Sequence, residues 1–194
     1  MVIIKSKSEI EKMRIAGRIT AGALKAAEEA IQVGMTTQEL DSVVRKYITS
    51  HGAKPSFLGY GGFPASACIS VNDEVIHGIP SSRRMENGDI VSVDVGAYIN
   101  GYHGDSCKTF AVGEISDEAK ALMKSTEESL YIAIDMAKPG ARLGDIGAAI
   151  AKHNEDNVYT VVREFVGHGV GRDLHEEPEV PNFGNEGRGL RLQA

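Results

Sequence analysis

The sequence predicts an α+β fold, and three observations carry that prediction. Two helix-patterned pairs, at residues 9–51 and about 117–154, each combine a long helix, a glycine-containing break and a shorter helix. Each pair leads into β-patterned sequence with a His-Gly dipeptide, His77-Gly78 and later His168-Gly169. Asn100-Gly101, flanked by two β-rich runs, is the strongest short hairpin signal a sequence offers. The recurrence suggests one domain, residues 1–194, made of halves at about 9–112 and 117–194. The second half is the incomplete one, since no second hairpin follows it. Helix pairs are common, so chance competes with duplication on pattern alone. Duplication would bury two sheet halves against four helices and leave a cleft.

The elements follow in order. Ser8 and Glu11 have capping-box spacing, and Ile10, Met13, Ile19, Leu24 and Ile31 recur on one face. That predicts a helix from about Glu9 to Ile31, stopped near Gly34. Thr36 and Glu39 repeat the spacing, and Leu40, Val43, Val44, Tyr47 and Ile48 continue a second helix to Gly52. The Gly/Pro-rich stretch from Lys54 to Pro64 reads as loop. Ala67–Val71 and Val75–Ile79 read as short strands, and Ile90–Ile99 and Tyr102–Val112 as the two arms of the hairpin. Ser116 caps a third helix, about Asp117–Ala137, which Lys138-Pro139-Gly140 breaks. A fourth runs from about Leu143 to Asn154, and Thr160–Phe165 is a further strand candidate.

Composition narrows the function classes. The chain has 194 residues, 42% hydrophobic and 25% charged, which is ordinary for a globular protein. Its 27 acidic against 21 basic residues give a net charge of −6, which argues against a broad nucleic-acid or anionic-membrane surface. No apolar run reaches the ~18–20 residues of a membrane span. Lys5, Lys7, Glu9 and Glu11 leave no room for a signal-peptide hydrophobic region. Cys68 and Cys107 then read as reduced thiols of a cytoplasmic protein. No Gly-x-Ser-x-Gly elbow, P-loop or dinucleotide Gly-x-Gly-x-x-Gly between a strand and a helix is present. Two cysteines are too few for a cysteine-based zinc site.

The hairpin supplies the first chemistry. With Asn100 and Gly101 as turn residues, cross-strand partners sum to 201, so Asp94 faces Cys107 and Asp105 faces Gly96. Both carboxylates then point to one face as diagonal neighbours, with Cβ atoms within ~7–8 Å. Two carboxylates so placed repel unless a cation lies between them. Hard oxygen donors on rigid strands suit a divalent metal, or a pair that they bridge. The competing explanation is a solvated sheet face. His168 lies in Gly167-His168-Gly169-Val170-Gly171, where glycines allow close backbone approach to a ligand, and His175 follows seven residues on. One histidine as metal ligand and one as proton donor or hydrogen-bond partner is a workable division of labour. Singly, each of them, like His77, is more often structural or exposed. His51, His103 and His153 stand in no constellation.

Asn72-Asp73-Glu74-Val75-Ile76-His77-Gly78-Ile79-Pro80, Asp94-Val95-Gly96-Ala97, Gly104-Asp105-Ser106, and Gly167-His168-Gly169-Val170-Gly171 with His175-Glu176-Glu177-Pro178 together resemble bacterial type I methionine aminopeptidase. The resemblance covers essentially the whole chain. It implies the pita-bread fold, two pseudo-symmetric αβ halves around a dinuclear metal site. It further implies Asp94 and Asp105 as metal ligands, Asp105 bridging both ions, with His168 a ligand of one. His175 would hydrogen-bond the scissile peptide and stabilise its oxyanion, and His77 would contact substrate and assist proton transfer. Tyr60, Phe63 and Cys68 would line the methionine pocket, a soft apolar slot suited to a thioether. The implied reaction is metal-dependent hydrolysis of the first peptide bond of nascent proteins near the ribosome, preferring a small second residue. The cofactors would be divalent ions, Co, Mn, Fe or Zn.

The chain departs from the pattern in two places. The resemblance implies two further glutamate ligands, one of them the general base, beyond the last residues of this sequence. Leu174 stands where many relatives carry an aromatic residue. Two other readings follow: a catalytically dead pita-bread module that binds peptides or partners, and another pita-bread peptidase such as prolidase or aminopeptidase P. Missing strands would also leave an exposed edge open to self-association.

Overall fold

The computed structural model describes residues 2–193 and divides the chain into two compact units. The larger comprises Lys5–Ser116 with Val170–His175; the other comprises Asp117–Gly169, the residues from Glu176 on and a few N-terminal residues.

In the larger unit, α1 spans Lys7–Ala30 and α2 spans Thr37–Ser50. Each opens with a capping box, Ser6 with Glu9 and Thr36 with Glu39, which satisfies backbone N–H groups that the first turn leaves unpaired. The first helix therefore starts two residues before the expected one. Ser6/Glu9 and Ser8/Glu11 share the same spacing, and only the former carries the cap.

Four strands follow: β1 (Lys54–Pro55), β2 (Ala67–Val71), β3 (Ile90–Ile99) and β4 (Tyr102–Ala111). All pairings are antiparallel; β4 lies along one edge of β3, and β1 and β2 share the other. The hairpin register is the expected one, with Ile99 opposite Tyr102, Asp94 opposite Cys107 and Gly96 opposite Asp105. Asn100 and Gly101 have φ of 55° and 84°, the left-handed pair of a type I′ turn.

Strand parity then sorts the sheet. Ala67, Ile69, Val71, Val91, Val93, Val95, Ala97 and Phe110 join Ile19, Leu24, Leu40, Val44 and Ile48 of the helices in one core. Burying each such Leu, Ile or Val side chain contributes roughly 1.5–3 kcal/mol. Asp94, Asp105 and Cys107 are therefore left on the opposite face. The helices can lie this close because Gly104 has no side chain: a Cβ there would stand 2.7 Å from the backbone nitrogen of Gly17 on α1.

Val75–Ile79 is not a strand. Only Gly78 pairs with β2, through Ile69 N–H to its carbonyl at 2.8 Å, and His77 takes a left-handed φ of 59° that breaks strand geometry. The expected strand at Thr160–Phe165 is likewise irregular chain. Its apolar residues do not make strand pairs; Val162 and Phe165 are exposed.

In the other unit, α3 (Asp117–Met136) packs on α4 (Leu143–Asp156), with Ser125 Oγ donating to Asn154 Oδ1 at 3.2 Å between them. The Asp145 carboxylate accepts the Arg142 and Gly187 backbone N–H groups at 2.8 and 2.6 Å, which pins the C-terminal segment to the start of α4 and holds the Asp145 carboxyl below the usual carboxylate range. A two-stranded ladder joins β5 (Gly167–Gly169) to β6 (Glu176–Val180), with a register shift between His168 and Gly169. Among the described residues, no helix is long and apolar enough to cross a membrane.

Candidate metal and substrate site

Asp94 and Asp105 meet on the polar face of the β3–β4 hairpin, half-buried and hydrogen-bonded to one another. Burial, the Asp94 charge and that shared hydrogen bond push the Asp105 carboxyl well above the ordinary carboxylate range. Two carboxylates can lie this close without a cation only if one holds a proton. A cation between them would relieve the same repulsion. Gly96, opposite Asp105, leaves the space into which Ser56 and Phe57 fit, since a Cβ there would lie 2.6 Å from Ser56 Cβ.

Cys68 stands beside Asp94 in the β2–β3 register and is buried. Desolvation, with the carboxylates of Asp94, Asp105 and Asp41 around it, pushes its thiol up to about 12, so it is a neutral apolar wall rather than a nucleophile. Cys107 is also a free thiol, on the exposed side.

Cys68 packs with Phe57, Phe63 and Leu174 in a small cluster separate from the main core. Tyr60 is half exposed and instead stacks on His175, ring centres 5.3 Å apart, with its hydroxyl oxygen 2.9 Å from Nδ1. The expected pocket residues thus divide: Phe63 and Cys68 enter the apolar cluster, and Tyr60 turns to the histidine. Phe57 and Leu174 are additions. Phe57, Tyr60 and Phe63 recur every third residue, a signal unreadable in a stretch with no helical or strand pattern. Leu174 is 2% exposed where the sequence marked only a departure from an aromatic.

His77 is exposed at its left-handed φ on the segment after β2. A non-glycine residue held there marks a constrained position. His168 lies on β5, in the other unit, and its Nδ1–H donates to the Gly169 carbonyl at 2.8 Å. That bond fixes the tautomer with the lone pair on Nε2, the form in which imidazole ligates a metal. Among the described residues, no three His, Cys, Asp or Glu side chains form a ready metal cluster; the donors that converge are the two aspartates. Two oxygen donors that repel one another fit a hard divalent ion.

The family model for metallopeptidase family M24 matches residues 11–194. A methionine aminopeptidase of Clostridium perfringens is 52% identical over 194 residues, covering the whole of this chain and 78% of that relative. Methionine aminopeptidase 1 of Bacillus subtilis is 50% identical over 193 residues, again with 78% of the relative covered. Among solved structures, a methionine aminopeptidase from Rickettsia prowazekii superposes with a TM-score of 0.97 at 39% identity, covering 100% of this chain and 78% of that one. The prolidase of Pyrococcus furiosus superposes at 0.83 with 29% identity, this chain spanning 54% of its length. The chain therefore belongs to metallopeptidase family M24 and has the pita-bread fold of that family.

Proposed function

We propose that this chain acts as a metal-dependent aminopeptidase that removes the N-terminal methionine from peptides and nascent proteins with a small second residue. The observation that carries the reading is identity of 50% and more along the whole chain to relatives named methionine aminopeptidase. Likeness to the prolidase is weaker in both identity and coverage. The dead-module reading finds no support among these relatives, whose names are those of enzymes.

Asp94, Asp105 and His168 are the residues that would hold the divalent ions, of Co, Mn, Fe or Zn. When bound, such ions polarise the scissile carbonyl and activate the attacking water. His175 donates a hydrogen bond to the carbonyl oxygen as charge develops on it. His77 contacts the peptide and carries a proton toward the leaving amine. Phe57, Phe63, Cys68 and Leu174 take up the thioether side chain, and the neutral Cys68 thiol keeps that slot apolar. A cytoplasmic location, nascent chains emerging from the ribosome as substrate, and self-association along the short β5–β6 ladder belong to the same reading.

The test is release of free methionine from a Met-Ala-Ser peptide with added Mn²⁺ or Co²⁺, run beside the His168→Ala protein purified in parallel. Activity present in the first and absent in the second supports the reading. Equal release from both would mean a contaminating host enzyme and would sink it.

A further inference from the structure

Tyr60 and His175 form a pair that is both stacked and hydrogen-bonded. Their rings stack with planes 23° apart, and Tyr60 Oη lies 2.9 Å from His175 Nδ1. We infer that Tyr60 is a positioning residue, whose O–H donates to Nδ1 of His175 and so places the imidazole proton on Nε2. The inference rests on the reading of His175 as donor to the scissile carbonyl.

A neutral imidazole has one donor and one acceptor nitrogen, and its partner decides which is which. The phenol O–H can donate to a nitrogen lone pair. In the opposite arrangement Nδ1–H would donate to the phenol oxygen, and Nε2 would present a lone pair. A lone pair facing a carbonyl oxygen repels it, and repels it more as the oxygen gains negative charge. Only the tautomer with the proton on Nε2 serves an oxyanion.

The local chain is built to hold this pair. Gly59, Gly61 and Gly62 take φ of 83°, 54° and 85°, and fold the segment into a tight turn around Tyr60. Tyr60 N–H donates to the Phe57 carbonyl at 2.9 Å, Phe63 N–H to Tyr60 at 2.9 Å, and Gly59 N–H to Phe63 at 2.8 Å. The same turn supplies Phe57 and Phe63 to the cluster that buries Leu174, the residue before His175. One turn therefore seats two consecutive residues, Leu174 by packing and His175 by stacking and a hydrogen bond. The strand-to-loop bond from His103 N–H to the Gly171 carbonyl, at 2.8 Å, anchors the segment at its other end.

Tyr60→Phe tests the inference, because it keeps the ring stack and removes only the hydroxyl. Tyr60 is half exposed, so the fold tolerates the change. Two-dimensional ¹⁵N–¹H correlation on metal-free, ¹⁵N-histidine-labelled protein at about pH 8.5, where reference imidazole is neutral, reads the tautomer directly. The His175→Gln protein assigns the signal. The wild type is expected to show the proton on Nε2, and Tyr60→Phe a mixture of tautomers. In the methionine-release assay, kcat of Tyr60→Phe should fall about 3- to 10-fold, the loss expected for one neutral hydrogen bond, with KM little changed. A wild-type His175 protonated on Nδ1, or a tautomer unaltered by Tyr60→Phe, overturns the inference. A wild type that releases no methionine overturns the aminopeptidase reading instead, and the tautomer measurement still decides the positioning role.

Discussion

Arg172 Nη2 donates to Glu9 Oε1 at 3.0 Å, and the same oxygen accepts the Tyr102 hydroxyl at 2.7 Å. The guanidinium also lies 4.9 Å over the Tyr102 ring. Glu9 thereby serves twice, as the third residue of the α1 capping box and as the tie between that helix and the segment leading to His175. The Ser6 backbone N–H, the Tyr102 hydroxyl, the Ser6 hydroxyl and Arg172 hold its carboxyl down to about 2.

A lowered carboxyl pKa adds stability above the ordinary value of 4.5 and loses it as pH falls toward 2. The urea midpoint of the wild-type chain should therefore drop steeply across that window. Glu9→Gln, which keeps an acceptor oxygen but cannot titrate, should show a lower midpoint at pH 7 and a flatter acid limb. Parallel slopes for the two proteins would remove Glu9 from the acid response.

Asp105→Asn removes the carboxyl that must hold a proton to lie beside Asp94 without a cation. In the presence of EDTA the variant should be more stable than wild type, increasingly so as pH rises from the ordinary value of 3.8 to about 7, where Asp105 gives up the proton that relieves its repulsion with Asp94. The order should reverse with Mn²⁺. Wild type is expected to gain about 2.7 kcal/mol at a hundredfold excess over the dissociation constant, and the variant little. Thermal melts in EDTA and in Mn²⁺ measure both, and equal Mn²⁺ shifts would exclude Asp105 as a ligand.

Gly104→Ala places a methyl group against the α1 backbone at Ala16 and Gly17, and main chain cannot rotate away. The cost should be about 1–3 kcal/mol, typical of overpacking. Urea unfolding gives the number. A change below a few tenths would show that α1 shifts freely on the sheet.

Leu174→Ala empties a position that is 2% exposed. Large-to-small core changes of this kind cost about 2–5 kcal/mol, and the lower end applies to a cluster this small. Because the cluster is also the proposed methionine pocket, KM for Met-Ala-Ser should rise as well. A rise in KM with no loss of stability would mean that Leu174 contacts substrate without holding its own loop.

Much of this protein is legible along the chain. Thr36-x-x-Glu39 starts its helix where expected, and Asn100-Gly101 sets the register that brings Asp94 and Asp105 to one face. Such features are local: a cap is three residues long, a two-residue turn dictates parity, and alternation then carries that parity along both strands. The first helix shows the margin, since Ser6/Glu9 and Ser8/Glu11 are equivalent as spacing and only the packed helix chooses. What the sequence left open depends on contacts between distant residues. Val75–Ile79 has strand composition, yet Gly78 meets Ile69 at a single bond and His77 turns left-handed. Tyr60 and His175 are 115 residues apart, and no periodicity links them. Local hydrogen-bond geometry and the hydrophobic alternation are written in neighbouring residues. The pairing of a turn with a remote loop is settled only when burial of Leu174 brings the two together.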